Sequence, residues 1–286
     1  MIQQTAMLAA LELRSFGGQR TDRDVTAEVH SSHNASDGAG RYVASLIPKK
    51  FLDPIQKNRS AAYALHKRLT MAWGDHGFGL LPVVLLDKHR NAMQAAKDKD
   101  DALIRDLIRD YPLAKAEAKI IRNGMYHEED YPSEAELQAS FRFRCKYMPV
   151  PDGGAIPEMI HDSYRHDLER ELNERIAEEF DNAHHDLIGR VKESVGRLST
   201  SLREFDERAG KRKLHESMLS NLQEMIELGR AMNLKKDQAL EIALNQAESI
   251  FAYQGLDKDT LRDDPVIRAD VRRVSDATLD ALSKIL

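Results

Sequence analysis

The chain has 286 residues and a formal net charge of -5 at pH 7, from 42 lysines and arginines against 47 aspartates and glutamates. This balance excludes the basic excess of a general nucleic-acid binder and leaves only a local basic patch open. The single cysteine excludes an internal disulfide framework and fits a reducing compartment, so we expect a cytoplasmic protein.

The composition favours helices. Charged residues make up 31% of the chain and aromatic residues 6%, a balance typical of solvent-facing helices. The segment 1–13 lacks the basic region of a signal peptide, and no apolar run reaches the ~20 residues that cross a bilayer. We therefore expect a mainly α, α+β protein without a membrane span or an export signal.

The N-terminal segment predicts two short strands. The apolar pattern of 6–16 favours a strand over a short helix, and loose alternation predicts a second strand in 21–30. Because Gly17 and Gly18 lie between them, the two strands would form a hairpin. The polar segment 31–40 is typical of a mobile loop.

Prolines and glycines divide the segment 41–82. Pro48 and Pro54 predict a break between two helices, with Pro54 as the first residue of the second. The glycines within 74–79 predict a turn between helices. They do not predict a phosphate loop, because such a loop needs a lysine and a preceding strand, and neither is expected here. Pro82 then opens a further helix.

Tyr111 and Pro112 predict the end of that helix, and a short helix follows over 113–122. Ser133, with Glu136 three residues later, predicts a capping box that starts one more brief helix.

The clearest strand signal is the alternation of aromatic and basic residues in 141–148. Spaced cations can follow a phosphate backbone, so the sequence offers a candidate patch for nucleic acid or another anion. Its residues are Lys49, Lys50, Arg142, Arg144 and Lys146. Base stacking needs aromatic residues beside the cations, whereas here they face the opposite way. We therefore favour a core-facing aromatic row and a solvated basic row.

Prolines and glycines crowd the segment 149–157 and predict a domain boundary. It would separate an α+β head, 1–150, from a long helical half, 157–286. A long helix is expected to follow it, because no further proline occurs up to 209. Such a helix must lie along a partner, either its own chain or another.

Two apolar rhythms occur in this helix. The first recurs at steps of four and comprises Ile160, Tyr164, Leu168, Leu172, Ile176 and Phe180. The second mixes steps of three and four and comprises Leu187, Val191, Val195, Leu198, Leu202 and Phe205. A strict step of four drifts around a helix, whereas mixed steps keep one seam. The second set is therefore the better candidate for a coiled-coil seam with an oligomer or partner.

The remaining chain predicts further helices. Gly210 and the basic residues after it predict a reversal, so 214–228 would return as the second helix of an antiparallel hairpin. Amphipathic helices are predicted over 237–254 and from Asp264 and Pro265 onward.

No catalytic, metal or cofactor site is expected. The chain contains no dinucleotide fingerprint, nucleophile elbow or paired-histidine zinc helix. His161 with His166, and His184 with His185, are spaced so that neither pair shares a helix face, which disfavours a metal site. We expect the chain not to be an enzyme.

Several short motifs resemble a known family. In chain order they are Ile47-Pro48-Lys49-Lys50-Phe51-Leu52-Asp53-Pro54, Leu80-Leu81-Pro82, Asp110-Tyr111-Pro112, Phe141-Arg142-Phe143 and Pro149-Val150-Pro151. They resemble the family called domain of unknown function 3150, found in bacteria, phages and mobile elements. The resemblance covers roughly the first 210 residues and carries over no catalytic residue.

The resemblance implies a partner, because members are often encoded beside a MoxR-like ATPase and a von Willebrand factor A protein. Our leading interpretation is a non-enzymatic helical assembly or adaptor protein that oligomerises or docks a partner such as that AAA+ ATPase. If the chain is phage encoded, it would act in the cytoplasm of the bacterial host. The alternative is a nucleic-acid-binding protein of phage replication or recombination that uses the basic patch.

Overall fold

The computed structural model describes residues 2–74, 77–152, 156, 160–207, 213–253 and 255–286. It is 69% helical, with a small antiparallel sheet region and a helical C-terminal half, which confirms the mainly helical character predicted from composition. Among the described residues, no helix combines the length and the apolar character that a bilayer crossing requires.

Fifteen helices and strands are used below. In chain order they are β1 (Ala6–Arg14), β2 (Gln19–Asp22), α1 (Arg23–Ser32), β3 (Tyr42–Ser45), α2 (Asp53–Leu69), β4 (Met71–Trp73), β5 (Phe78–Pro82), α3 (Leu86–Arg122), α4 (Glu134–Ala139), β6 (Arg142–Pro149), α5 (Asp162–Glu207), α6 (Ser217–Met232), α7 (Gln238–Glu248), α8 (Lys258–Asp263) and α9 (Pro265–Ser283).

The chain forms two compact units that differ from the predicted consecutive domains. Unit 1 comprises Met1–Ala10, Lys67–Lys88 and Tyr147–Leu286, and unit 2 comprises Leu11–His66 and His89–Lys146. Strand pairing explains the difference, because β1 and the β4–β5 hairpin pair with each other across a long sequence separation. The predicted boundaries 1–150 and 157–286 follow composition, which does not report such pairing.

One four-stranded sheet has the order β4-β5-β1-β6. β1 and β5 are antiparallel, with Ala6 opposite Pro82 and Ala10 opposite Phe78, and β4 and β5 form an antiparallel hairpin. The glycines at 74–79 therefore belong to a strand hairpin and not to the predicted turn between helices. Gly74 and Gly77 have positive φ angles of 53° and 73°, which glycine adopts without strain.

The N-terminal prediction was correct for β1 and wrong for the segment 21–30, which is mostly helix α1. Asp22 explains the change, because its carboxylate accepts a hydrogen bond from the Val25 amide at 3.1 Å and caps the helix. β2 ends at this cap and pairs antiparallel with β3, not with β1. The helix predicted before Pro48 is instead β3, and much of the predicted loop 31–40 forms turns after α1.

Helix α3 continues through Pro112, where the sequence predicted its end. Tyr111 is 2% exposed, and its hydroxyl donates to the Pro132 carbonyl oxygen at 3.0 Å. Buried residues recur on the same side of the helix before and after the proline, at Ile104, Leu107, Tyr111, Ala114 and Ala118. Tertiary packing therefore outweighs the local cost of the proline.

The core of unit 2 lies between α2, α3 and the segment around α4. Its buried residues are Leu46, Ile47, Leu52, Ile55, Ile104, Leu107, Tyr111, Ala114, Ala118, Tyr131 and Leu137. The predicted capping box at α4 is confirmed. The Ser133 amide donates to the Glu136 carboxylate at 2.9 Å, and the Glu136 amide donates to the Ser133 hydroxyl at 3.3 Å.

The helices of unit 1 surround the second half of α5, which is 46 residues long and packs against α6 and α9. Asp237 and Asp264 cap α7 and α9 at the predicted positions. Between α7 and α9 lies the short helix α8, which Asp257 caps by accepting from the Thr260 amide at 2.7 Å. The predicted reversal at Gly210 lies outside the described residues.

Candidate protein-docking surfaces

The six residues of the predicted seam lie inside unit 1. Their side chains are 0 to 6% exposed: Leu187, Val191, Val195, Leu198, Leu202 and Phe205. α5 packs here against α6 and α9 of the same chain, so the mixed rhythm of threes and fours marks an intramolecular core. Of the two partners that the sequence allowed, the structure provides the chain's own helices.

Polar contacts hold α5 from Glu179 onward. The Gly74 amide donates to the Glu179 carboxylate at 2.8 Å, and Arg190 donates to the carbonyl oxygens of Lys67 and Thr70 at 2.9 and 2.7 Å. Continuous burial on α5 begins four residues after Glu179, at position 183. These contacts anchor the C-terminal part of the helix to unit 1.

The N-terminal part of α5 has no fully buried residue. No residue from Tyr164 through Asn182 is buried, although apolar residues recur there at steps of four. We call them the α5 stripe: Tyr164, Leu168, Leu172, Ile176 and Phe180. Tyr164 is 68% exposed and Leu168 is 41% exposed. Leu172, Ile176 and Phe180 are partly buried, and Lys235 lies 5.6 Å from the centre of the Phe180 ring. At 1.5 Å per residue, the stripe extends about 24 Å and is most exposed at its N-terminal end.

The α5 stripe lies in a strongly acidic stretch. The segment 164–182 contains seven acidic residues and three arginines. The excess of acidic residues in this segment therefore accounts for most of the net charge of the chain, which is -5. Two of the arginines are engaged locally, Arg165 with Glu169 at 3.9 Å and Arg170 with Asp167 at 2.9 Å. The stripe therefore presents apolar side chains within a negative surface.

A second uncovered apolar surface lies on α3 in unit 2. We call it the α3 face: Leu113, Ala116, Ile120 and Ile121. Leu113 is 56% exposed, Ile120 80% and Ile121 71%, whereas Ala114 and Ala118 on the other side of the same turns are buried. Large aliphatic side chains that are this exposed and this close together are unusual on a surface that only contacts water.

Lysines border the α3 face. Lys50 donates to Glu117 at 2.9 Å and lies 5.0 Å from the centre of the Phe51 ring, and Lys49 precedes it in the same 3₁₀ turn. Lys119 lies 5.7 Å from the Tyr126 ring. Glu117 offsets Lys50, so Lys49 and Lys119 contribute the excess positive charge at this border.

The predicted anion patch is partly neutralised. Arg142 and Lys146 both bind Glu12, at 2.9 and 3.0 Å, and these hydrogen bonds, first from Lys146 and then from Arg142, lower the pKa of Glu12. The predicted alternation is confirmed, since Phe143 is buried and Arg144 is exposed. The patch does not form one continuous cationic row, because Glu12 lies between two of its members.

Two buried polar pairs lie inside unit 2. Arg59 binds Asp100 with two hydrogen bonds, of 2.8 and 2.6 Å, in a region where neither side chain is more than 5% exposed. His66 Nδ1 and His89 Nε2 lie 2.9 Å apart, and burial lowers the pKa of His89 to about 4. Both pairs are enclosed, so neither is open to a substrate.

One polar cleft is also occupied by ion pairs. A cleft of about 310 Å³ in unit 1 is lined by Arg68, Arg190 and Arg197. These pair with Glu224, Asp186 and Glu193, respectively. Within the described ranges, no group of three or more histidine, cysteine or carboxylate side chains is arranged to hold a metal ion.

Comparison of the chain with models of protein families, with characterised proteins and with solved structures finds no match. The α5 stripe is visible in the sequence as the step of four, but the second rhythm is the better coiled-coil candidate because its mixed steps keep one seam. The α3 face was missed because Pro112 was interpreted as a helix end, which separated its residues from the rest of α3.

Proposed function

We propose that the protein is a non-enzymatic helical assembly or adaptor protein that docks another protein chain through the α5 stripe. The observation that supports this proposal is the contrast along α5. Residues 187–205 bury their apolar side chains within unit 1, whereas the equally periodic α5 stripe buries none. Exposed apolar rows of this length are a common feature of helix-mediated recognition.

The geometry of the stripe indicates how a partner helix would lie. A row at steps of four advances by about 400° per step and so drifts around the helix, unlike the seam of a parallel coiled coil. Packing of such rows favours a helix crossing at roughly -50°. The docked segment would therefore cross α5 obliquely and contact a few turns of it.

Two further elements of the proposal come from the sequence. A reversal near Gly210 would make α5 and α6 an antiparallel hairpin that holds the stripe at one end. The resemblance adds a MoxR-like ATPase of a phage or mobile element as one partner. The alternative, nucleic-acid binding, draws less support because Glu12 offsets Arg142 and Lys146, and because the exposed part of α5 is acidic and would repel phosphates.

The test compares the wild-type chain with Leu168→Asp. Self-association is measured by sedimentation velocity, and binding to a purified MoxR-like ATPase by fluorescence anisotropy. We expect the wild type to show at least one of the two and the variant to lose it, because a charge would enter the apolar contact. Ile242→Asp, at an exposed apolar position of α7, is the matched control and should behave as the wild type. A wild-type chain that remains monomeric and does not bind the ATPase would refute the proposal.

A further inference from the structure

We infer that the α5 stripe of one copy docks on the α3 face of a second copy. This inference rests on the proposed function and adds the identity of the docked chain. Two uncovered apolar surfaces on one chain are needed for it, and both are present: the α5 stripe in unit 1 and the α3 face in unit 2.

Charge complementarity selects the second copy. The α5 stripe lies in a segment with seven acidic residues and three arginines, whereas Lys49, Lys119 and the Lys50–Glu117 pair border the α3 face. A contact of like surfaces, stripe on stripe, would bring together two segments in which acidic residues outnumber arginines. A contact of unlike surfaces places the carboxylates of one copy beside the lysines of the other.

The surfaces also match in shape. The α5 stripe is a row at steps of four, and the α3 face contains the rows Leu113-Glu117-Ile121 and Ala116-Ile120 with the same step. Rows of this kind pack into each other when two helices cross at roughly -50°. Leu168 and Leu172 would then lie in the groove between the two rows of α3.

The contact joins two different surfaces, so it is heterologous. Each copy that docks its stripe leaves its own α3 face open for the next copy, and association continues until a ring closes or a filament forms. This has a consequence that a symmetric dimer does not share. Two defective chains with different damaged surfaces can still bind each other once.

The test is a mixing experiment with two full-length variants. Leu168→Asp damages the stripe and leaves the α3 face intact, and Ile120→Asp damages the α3 face and leaves the stripe intact. Both positions are exposed, so circular dichroism melts should match those of the wild type. We expect the wild type to sediment as species that grow with concentration up to the submillimolar range. Each variant alone should associate at least about tenfold more weakly than the wild type. Their equimolar mixture should form a heterodimer that does not grow further.

Higher salt should weaken the wild-type association, because the bordering charges are exposed. Three outcomes would overturn the inference: a wild type that stays monomeric, a mixture in which the variants remain separate while the wild type associates, or a variant that associates as strongly as the wild type. If the wild-type chain stays monomeric but binds the MoxR-like ATPase through Leu168, only this inference fails. If it does neither, the proposed function fails as well.

Discussion

The guanidinium of Arg59 donates two hydrogen bonds to the carboxylate of Asp100, at 2.8 and 2.6 Å, inside unit 2. The same guanidinium donates to the Ser15 hydroxyl at 2.7 Å and lies 5.3 Å from the centre of the Phe141 ring. One buried cation therefore joins helices α2 and α3 to the end of β1 and the start of β6.

Replacing Arg59 by methionine should strongly destabilise the protein. The substitution leaves Asp100, which is 0% exposed, as a buried carboxylate without its cation. Breaking one partner of a buried ion pair costs about 3–5 kcal/mol, and urea denaturation would measure it. Combining Arg59→Met with Asp100→Leu should recover part of the loss. Arg109→Met breaks an exposed pair with Asp110 and should leave the midpoint unchanged; equal losses in both single variants would contradict this account.

The buried pair of His66 and His89 predicts a dependence of stability on pH. Burial lowers the pKa of His89 from 6.5 to about 4, so below pH 6.5 the unfolded chain binds a proton that the folded chain refuses. The contribution of His89 to the free energy of unfolding should therefore fall between about pH 6.5 and about pH 4, and change little above or below.

The measurement is the free energy of unfolding as a function of pH for wild type, His89→Gln and His127→Gln. Protonation of paired carboxylates such as Glu12 also lowers the free energy of unfolding as the pH falls. The comparison with His89→Gln isolates the contribution of His89. We expect a shallower slope between pH 6.5 and pH 4 in His89→Gln only. His127 is exposed and serves as the control. The same slope in all three proteins would disprove the role of the buried pair.

Helix α3 should become more stable when Pro112 is replaced by alanine. Proline removes one helical hydrogen bond and costs up to about 3 kcal/mol in a helix interior, and Pro112 is exposed, so no packing is lost. We expect a gain of about 1–3 kcal/mol in chemical denaturation. Ala116→Pro, one turn later on the exposed side, is the converse and should destabilise by a similar amount or more. A loss of stability in Pro112→Ala would show that the proline has a structural role.

Leu168 and Leu198 should respond differently to truncation, although both lie on apolar rows of α5. Leu198 is 1% exposed, so Leu198→Ala should cost about 2–5 kcal/mol through lost burial and the resulting cavity. Leu168 is 41% exposed, so Leu168→Ala should change the stability of the monomer very little in dilute denaturation experiments. Similar losses at both positions would mean that the α5 stripe is covered within the monomer.

Local chemistry could be predicted well from the sequence. The capping box at Ser133, the caps at Asp237 and Asp264, the alternation of β6 and the length of α5 depend on residues close together in the chain. Long-range pairing could not be predicted. β1 pairs with β5, and β2 pairs with β3 across an intervening helix. No local sequence pattern identifies which strands will pair.

The candidate surfaces show the same division. Periodicity located both apolar rows of α5, but it does not report which row the fold of the same chain covers. The row with mixed steps became the core, and the row at steps of four stayed open. At Pro112 the local sequence predicts a helix end that does not occur. The burial of Tyr111 and its neighbours outweighs the cost of the proline, so α3 continues.

Hydrogen–deuterium exchange at two protein concentrations tests the central claim most directly. Amides of a helix that packs on nothing open easily and exchange fast, and docking a second chain slows them. We predict that raising the concentration slows exchange in 164–182 and in 113–121 of the wild type and leaves 187–205 unchanged, and that Leu168→Asp removes the effect. Exchange in 164–182 that is slow and independent of concentration would contradict the account, because it would show that the chain itself already covers the α5 stripe.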